Sequence, residues 1–289
     1  MKYIAAVGMF DGVHLGHRFV VEQLCREAAA RGLAPMLITF RSHPLETLRP
    51  ELAPAILTEV DFRRQLLREA GVERVEVLDF DRVCRLTATE FLSVLHHDFG
   101  VEVLMMGFNN HIGSDRQSAA SLGSHCAGVD IILLPPYPGG EGLCSSATRR
   151  ALAEGRVADA RTMLGRPYSL RGTVVHGKQL GRTLGFPTAN ISPASPSALV
   201  PGSGVYAADV HIHGDHTPHR AMLNVGQCPT VGGCGTTIEA HIIDFDRDIY
   251  GREVTVDFLT RLRDEQQFAG LDQLKAQLAL DRLAAISAK

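Results

Sequence analysis

The fold of the first half of this chain follows from residues 8–17, GMFDGVHLGH. An apolar run precedes this segment and an amphipathic run follows it, which predicts a strand, a turn and a helix. His14 and His17 are three positions apart at the start of that helix, so their imidazoles project from one face. Gly16 lets a phosphate approach the backbone, and the N–H groups and dipole of the helix N-terminus favour the same anion.

Two histidines on one helix face indicate a chemistry that either histidine alone does not. A single histidine at this place is typical of a helix cap, whereas the pair, with glycines and an Asp-Gly turn around it, favours a phosphate site. His14 and His17 can donate hydrogen bonds to phosphoryl oxygens whose negative charge grows in a transition state, with no covalent intermediate. The segment therefore predicts nucleotidyl transfer.

Length, composition and charge limit the class of protein. With 289 residues, 45% of them apolar, the chain is long enough for two packed domains. Its net charge of −3 gives no excess of basic residues, so we expect no nucleic-acid partner. No apolar run is long enough to span a membrane and no signal peptide is seen, so we expect a cytoplasmic protein with no membrane partner. The six cysteines form no Cys-x-x-Cys pair, which argues against a zinc site or a disulfide framework.

The pattern of apolar and polar residues changes once along the chain and so divides it into two parts. From Tyr3 to about Leu134, short apolar runs alternate with amphipathic helical runs, the pattern of a doubly wound parallel α/β sheet, and a helical segment from Ala147 to Leu164 completes a first domain over residues 1–166. Over residues 167–289, short strand candidates are separated by Gly, Pro and Asp turns, which predicts a closed antiparallel barrel followed by a C-terminal helix. We place the domain boundary near Arg166-Pro167, because a proline disfavours continuation of the preceding helix.

Local signals place several elements within these domains. Thr87 and Glu90 form a capping-box pattern at the start of one helix, and Gly100 follows its end. The strand candidates of the second half are Tyr168 to His176, Gly204 to Ile212, Arg220 to Val225, Thr236 to Asp244 and Val254 to Leu259. The final helix is predicted from Leu271 to Ile286.

Segments from both halves resemble a known family. Residues 8–17 resemble the phosphate-binding signature of the nucleotidyltransferase superfamily, and residues 181–190, GRTLGFPTAN, resemble the flavokinase signature. Further segments that recur in the family's order are Pro201 to Ala207, Asn224 to Gly226 with Pro229-Thr230, Ile238 to His241, Asp248 to Gly251, and Arg261 to Glu265 with Phe268. The chain thus resembles the bifunctional riboflavin kinase/FAD synthetase family nearly from end to end.

That resemblance implies a fold, two reactions and a set of ligands. The fold would be a nucleotidyltransferase-like (Rossmann-like) doubly wound parallel sheet, then an antiparallel β-barrel flavokinase domain with a C-terminal helix. The second domain would phosphorylate riboflavin with Mg-ATP to FMN, and the first would transfer AMP from a second ATP to FMN, giving FAD and pyrophosphate. The implied partners are the small molecules riboflavin, FMN, FAD and ATP, with Mg²⁺ as the cofactor. The oligomeric state is left open.

The matching positions imply candidate site residues. His14 and His17 would stabilise charge in adenylyl transfer, and Glu239 would be the general base that accepts the 5′-hydroxyl proton of riboflavin. Thr188 and Asn190 supply oxygen atoms that suit Mg²⁺. The positions implied for ATP or phosphate binding are Gly8, Phe10, Asp11, Gly16, Ser145, Ser146, Thr148, Arg150, Gly181 and Gly185. Those implied for flavin binding are Asn109, Arg263 and Phe268.

Some positions admit other interpretations. Taken singly, a glutamate on a strand is typical of a solvated face, and an arginine such as Arg263 is typical of a surface ion pair. Asn109, His111 and Ile112 stand where the family usually has an aspartate, a basic residue and an aromatic residue. Ala147 and Arg149 likewise replace a threonine and an isoleucine.

These departures keep two alternatives open. One is a monofunctional riboflavin kinase whose first domain is weakly active or only binds its ligands. The other is a flavin-binding or flavin-sensing protein without turnover.

Overall fold

The structure is a computed structural model, and it describes residues 1–107, 109–177, 181, 185–230 and 233–288. The chain divides into two compact units, Met1–Cys144 and Ser145–Lys289. The domain boundary near Arg166-Pro167 stays a prediction. In the described residues, no helix combines the length and the apolar character that crossing a membrane requires.

Strands and helices alternate in the first unit. Its strands are β1 (Tyr3–Val7), β2 (Ala34–Phe40), β3 (Arg74–Leu78), β4 (Val101–Gly107), β5 (His111–Ile112), β6 (Gln117–Ser118), β7 (His125–Cys126) and β8 (Val129–Leu134). Its helices are α1 (Leu15–Arg31), α2 (Pro44–Leu48), α3 (Val60–Glu69), α4 (Phe80–Val83), α5 (Ala88–Phe99) and α6 (Ala119–Leu122), with a 3₁₀ helix over Pro50–Leu52. The main sheet has the strand order β3-β2-β1-β4-β8-β7, and β5 pairs separately with β6.

The main sheet is covered on both faces. Successive residues of a strand point to opposite faces, so each strand contributes to two hydrophobic clusters. On β1, Ile4 and Ala6 pack in the cluster that α1 and α3 share, whereas Tyr3 and Ala5 pack in the cluster that α5 shares. Because β2 and β4 flank β1 on opposite sides, the carboxyl end of β1 lies where ligands bind in sheets of this type.

The second unit is a barrel with helices. Its strands are β9 (Tyr168–Val175), β10 (Ala189–Pro193), β11 (Gly204–Ile212), β12 (His219–Thr230), β13 (Gly233–Ile242) and β14 (Glu253–Arg263). Its helices are α7 (Ser145–Ala153), α8 (Val157–Leu164) and α9 (Leu271–Ser287). The strands close into a barrel in the order β10-β13-β12-β11-β14-β9, and every neighbouring pair is antiparallel.

The C-terminal helix α9 is attached to the barrel by packing and by one arginine. Ala285 is fully buried and packs with Met222 of β12. Arg220 donates hydrogen bonds to the carbonyl oxygens of Ala285 at 2.9 Å and Ala288 at 2.6 Å, and it forms an ion pair with Asp209 at 2.8 Å. The last carbonyl groups of the helix thus meet a cationic donor, which the helix dipole favours.

The predicted architecture is confirmed in both units, with two additions. The sheet of the first unit is mixed, because the short edge strand β7 runs antiparallel to β8. Strand β10 was not predicted, since its sequence ANISP has one buried apolar side chain, Ile191, and so lacks an alternating pattern. It is a strand because β9 and β13 pair with it on both sides.

The capping box of α5 gives a first prediction. The Thr87 hydroxyl accepts from the Glu90 N–H at 3.3 Å, and the Glu90 carboxylate accepts from the Thr87 N–H at 2.8 Å. We expect Thr87→Ala to lower the free energy of unfolding by about 1 kcal/mol, because it removes one of these reciprocal bonds. Urea denaturation followed by circular dichroism measures the change. Thr89→Ala, at an exposed position of the same helix, is the control and should change it by less than about 0.5 kcal/mol; equal losses would contradict the capping role.

Candidate active sites

The turn after β1 has an uncommon backbone. Phe10 and Val13 adopt positive φ angles of 50° and 44°, which are rare for residues with side chains, and Gly12 has a φ of 84°. The Val13 N–H donates to the Phe10 carbonyl at 3.1 Å, and the Gly12 N–H donates to the Thr58 hydroxyl at 3.0 Å. Such strain persists only where surrounding contacts impose it, and it clusters at functional sites.

Asp11 fastens this turn to the segment before α3. Its carboxylate is 1% exposed and accepts hydrogen bonds from the N–H groups of Leu57 at 3.0 Å and Thr58 at 2.9 Å, and from the Thr58 hydroxyl at 3.1 Å. These contacts indicate that Asp11 fixes the shape of the turn. Its contact with ATP stays a prediction.

His14 and His17 are in direct contact. Their rings stack with centroids 3.6 Å apart and planes 17° from parallel. His14 is the N-cap of α1, and its Nδ1 accepts from the His17 N–H at 3.3 Å. A neutral His14 therefore carries its proton on Nε2, which becomes the donor atom of the ring. A Cβ at Gly16 would lie 3.1 Å from the His14 ring, so glycine makes room for the imidazole as well as for a ligand.

The surroundings of His17 keep its imidazole neutral. Burial lowers the pKa of His17 well below its usual range, and the charges of His14 and Arg63 act in the same direction. Its Nδ1 is buried and has no hydrogen-bond partner in the part of the chain that the structure describes. Phe10 packs edge-on against the ring, with centroids 5.3 Å apart. The pair thus presents hydrogen-bonding groups rather than two cations.

Arg63 lies near this site and was missed in the sequence. It is 1% exposed on α3, and its Nη2 donates to the carbonyl of Phe40 at the end of β2. Burial lowers its pKa, while the nearby Asp11 carboxylate opposes that shift. Arg63 and Arg64 are adjacent in an amphipathic helix, so no local signal shows which of them is buried.

The predicted flavin-binding residue of the first unit, Asn109, lies in the loop after β4. It is exposed, and Nδ1 of His111 donates to its carbonyl at 3.1 Å. Residue 108 of the same loop is outside the described residues. Gly8, directly after β1, donates its N–H to the Ile38 carbonyl at 3.0 Å, which joins the start of the turn after β1 to β2.

Four predicted phosphate-binding residues belong to α7 in the second unit: Ser145, Ser146, Thr148 and Arg150. Ser146 and Arg150 are exposed. Thr148 is fully buried, and its hydroxyl donates to Sδ of Met163 at 3.5 Å. These contacts place Thr148 in the packing of α7 against α8, and its phosphate contact stays a prediction.

Two cavities of the barrel unit share the side chain of Thr188. The larger cavity has a volume of about 500 Å³ and is lined by Pro187 and by residues 245–250. The smaller cavity has a volume of about 370 Å³ and is lined by Gly181 and Glu239. A ligand in either cavity would therefore contact the same threonine.

A row of polar side chains crosses three strands beside Thr188. Asn190 on β10 and Asn224 on β12 are both register partners of Glu239 on β13. Opposed residues of antiparallel strands project from one face, with Cβ atoms about 5 Å apart. The structure thus brings together the predicted base and both predicted metal ligands. Asn224 was not chosen as a site residue, although it lies in a segment that resembles the family.

The predicted glycines of the flavokinase signature have steric reasons for being glycine. A Cβ at Gly181 would lie 2.3 Å from the carbonyl oxygen of Phe186, whose N–H donates to the Gly181 carbonyl at 2.9 Å. Gly185 has a φ of 84°, which disfavours residues with side chains. Residues 182–184 of the signature lie outside the described residues. The phosphate contacts of both glycines stay predictions.

Arg263 and Phe268 line the smaller cavity together with Glu239. Arg263 is held there by a two-oxygen ion pair with Asp281 of α9, in which Nε lies 3.0 Å from both carboxylate oxygens. Gln277 also donates to Asp281, at 2.8 Å. The Asp281 side chain is only 4% exposed, so this pair differs from the surface ion pair that a lone arginine suggests. Asp281 was missed because a charged residue in a helix is usually solvated.

Models of two families match consecutive parts of the chain. The FAD synthetase family matches residues 1–147, and the riboflavin kinase family matches residues 164–288. The first match covers the turn after β1 with His14 and His17. The second covers the barrel and the helix that carries Asp281.

Known proteins match the chain over nearly its whole length. The bifunctional riboflavin kinase/FMN adenylyltransferase of Escherichia coli K12 is 38% identical and covers 98% of this chain and 91% of its own length. The protein of the same name from Bacillus subtilis is 30% identical and covers 99% and 92%. A crystal structure described as a macrolide-efflux protein from Streptococcus pneumoniae is 34% identical, with a TM-score of 0.90 over 99% of this chain and 94% of that one. The chain belongs to the bifunctional riboflavin kinase/FMN adenylyltransferase family.

Proposed function

We propose that this chain makes FAD from riboflavin in two ATP-dependent steps. The barrel phosphorylates riboflavin to FMN, and the first unit transfers AMP from a second ATP to FMN with release of pyrophosphate. The observation that carries the proposal is the pair of separate polar groupings on one chain, the His14–His17 stack and the row that joins Asn190 to Glu239. The curated relatives carry both activities in their names.

In the kinase step, the phosphate donor and the acceptor meet at Thr188, which lines both cavities. ATP occupies the larger cavity and riboflavin the smaller one, so the 5′-hydroxyl meets the γ-phosphate beside Thr188. Glu239 accepts the hydroxyl proton as the oxygen attacks the γ-phosphorus, and the bond from that phosphorus to the ADP oxygen breaks. The flavin ring lies against Phe268 and Arg263, which Asp281 holds in place.

Thr188 and Asn190 are suited to hold Mg²⁺ together with the phosphates of ATP. Both offer neutral oxygen donors, and Mg²⁺ in such sites takes few protein ligands besides phosphate oxygens. A Cβ on Gly177 would lie 2.0 Å from the Asn190 amide nitrogen, so the glycine leaves the space that this side chain occupies. When bound, the ion would reduce the negative charge that the transferred phosphoryl group presents to the hydroxyl.

In the adenylyl step, a phosphate oxygen of FMN attacks the α-phosphorus of ATP. The new O–P bond forms as the bond between the α-phosphorus and the β-phosphate oxygen breaks, and pyrophosphate leaves. His14 and His17 donate hydrogen bonds to the phosphoryl oxygens, where negative charge increases in the transition state. The stacking of the two rings and the lowered pKa of His17 support this role, because they place two hydrogen-bonding imidazoles side by side.

The proposal is tested by incubating the full chain with riboflavin, ATP and Mg²⁺ and separating the flavins over time. We expect FMN to increase first and FAD to follow. If neither product formed, the proposed function would be wrong. Product that stops at FMN would favour the monofunctional alternative, for which the exposed Asn109 in place of an aspartate is the supporting observation. FMN binding without ATP consumption would favour a flavin sensor.

His17→Ala is expected to abolish FAD formation alone. The loss of one phosphoryl hydrogen bond should lower kcat for the adenylyl step about 10²- to 10³-fold, while FMN formation stays at the wild-type rate. Rates are measured separately with supplied FMN and with riboflavin. The control is His97→Ala, at an exposed position of α5 in the same unit. A loss of both activities in a folded protein would contradict the assignment of two sites.

Glu239→Gln is expected to have the opposite effect. The amide keeps the size of the carboxylate but cannot accept the proton, so kcat for riboflavin phosphorylation should fall about 10²- to 10⁴-fold. Adenylylation of supplied FMN should be unchanged. Glu253→Gln, on the exposed start of β14, serves as the matched control. Wild-type kinase activity in the Glu239 variant would exclude Glu239 as the base.

A further inference from the structure

His241 lies two positions after Glu239 on β13, so both side chains point to the same face of the strand. Both line the smaller cavity. His241 is 8% exposed, and its Nδ1 lies 2.8 Å from the carbonyl oxygen of Pro187, 54 residues earlier in the chain. The side chain thus connects the strand of the predicted base to the residue just before Thr188.

The hydrogen bond fixes the protonation of the ring. A carbonyl oxygen only accepts, so Nδ1 of His241 must carry a proton. Burial lowers the pKa of His241, and the bond to Pro187 opposes that shift only in part. The ring is therefore neutral at pH 7, with its proton on Nδ1. Because Nδ1 donates its proton to the Pro187 carbonyl, it is not free to transfer that proton to a substrate. The structure therefore favours a role for His241 in orienting the segment that contains Pro187.

The bond to Pro187 continues a strand pairing beyond its last backbone contact. The register of β10 with β13 begins at Ala189 opposite Ala240, so Pro187 and Thr188 lie outside the paired strand. The His241 side chain supplies a hydrogen bond to this unpaired segment. Phe186 adds an edge-to-face contact with the ring, with centroids 5.2 Å apart. These two contacts attach the segment that leads to Thr188 to strand β13.

We propose that His241 is a positioning residue for phosphoryl transfer, which sets the Thr188 side chain at the boundary of the two cavities and in a fixed relation to Glu239. This inference rests on the proposed riboflavin kinase activity of the barrel. Without the bond, Pro187 and Thr188 could shift while the strands stay paired. Small misplacements of groups that orient a substrate or a metal lower rates by one to two orders of magnitude.

Three substitutions of His241 separate positioning from packing. His241→Asn keeps an N–H donor near the place of Nδ1, His241→Gln moves the donor toward the place of Nε2, and His241→Phe removes it. We expect the Gln and Phe variants to lose about 10- to 100-fold in kinase kcat. The Asn variant should keep most of that rate. The KM for riboflavin should change much less than kcat, because the other residues that line the smaller cavity are unchanged.

Binding of Mg-ADP to the full chain is the second measurement. Isothermal titration calorimetry should resolve two sites in the wild-type protein, and one of them should weaken about 10-fold in the Gln and Phe variants but not in the Asn variant. Adenylylation of supplied FMN should be unaffected in all three. His211→Phe, at an exposed histidine of the same barrel, is the control and should leave both measurements unchanged.

Two results would overturn the inference. One is a set of variants that differ from the wild type only in melting temperature, with kinase kcat and Mg-ADP affinity unchanged, since His241 would then act in packing alone. The other is an equal loss in the Asn and Gln variants, because the position of the donor would then not matter. A wild-type protein that formed no FMN would instead refute the proposed function, and the Mg-ADP titrations of the variants would still decide the role of His241.

Discussion

Buried backbone groups need hydrogen-bond partners, and in this chain side chains of the candidate sites supply them where regular structure ends. Asp11 accepts from the N–H groups of Leu57 and Thr58, His14 caps the first turn of α1, and His241 donates to Pro187. The Asp11 bonds join the turn after β1 to the segment before α3, and the other two bonds join a loop to a helix and to a strand. In the proposed mechanism, the chemistry of both units would depend on these attachments, because loops that carry reactive groups must be held to within fractions of an ångström.

In the proposed mechanism, the two units would hold a polyphosphate in different ways. The first unit offers a turn with positive φ angles and the N-terminus of α1, beside the stacked rings of His14 and His17. The barrel instead places the Asn190, Glu239 and Asn224 side chains in a row across neighbouring strands. A helix start suits charge stabilisation without proton transfer, whereas a row on a sheet can place a carboxylate beside neutral oxygen donors.

The sequence predicted what depends on local patterns. The strand, turn and helix around residues 8–17, the capping box at Thr87 and the change to an antiparallel barrel all follow from periodicity and turn residues. Strand β10 was not predicted because its residues show no alternating pattern, and only its pairing with β9 and β13 makes it a strand. The burial of Arg63 and Asp281 was not predicted either. Whether a charged residue of a helix is buried depends on the tertiary neighbours with which it forms hydrogen bonds or ion pairs. The family resemblance pointed to Glu239, but only the register showed that it faces Asn190.

The position of Thr188 in the lining of both cavities has a consequence for how this barrel can vary. Because both cavities are lined by the same threonine, the proposed nucleotide pocket and the proposed acceptor pocket cannot be reshaped independently at Thr188. Substitutions on opposite sides of it should show strong energetic coupling, unlike pairs of distant substitutions whose effects simply add. A protein of this family that evolved a broader specificity for the phosphate donor would therefore have to change its specificity for the acceptor at the same time.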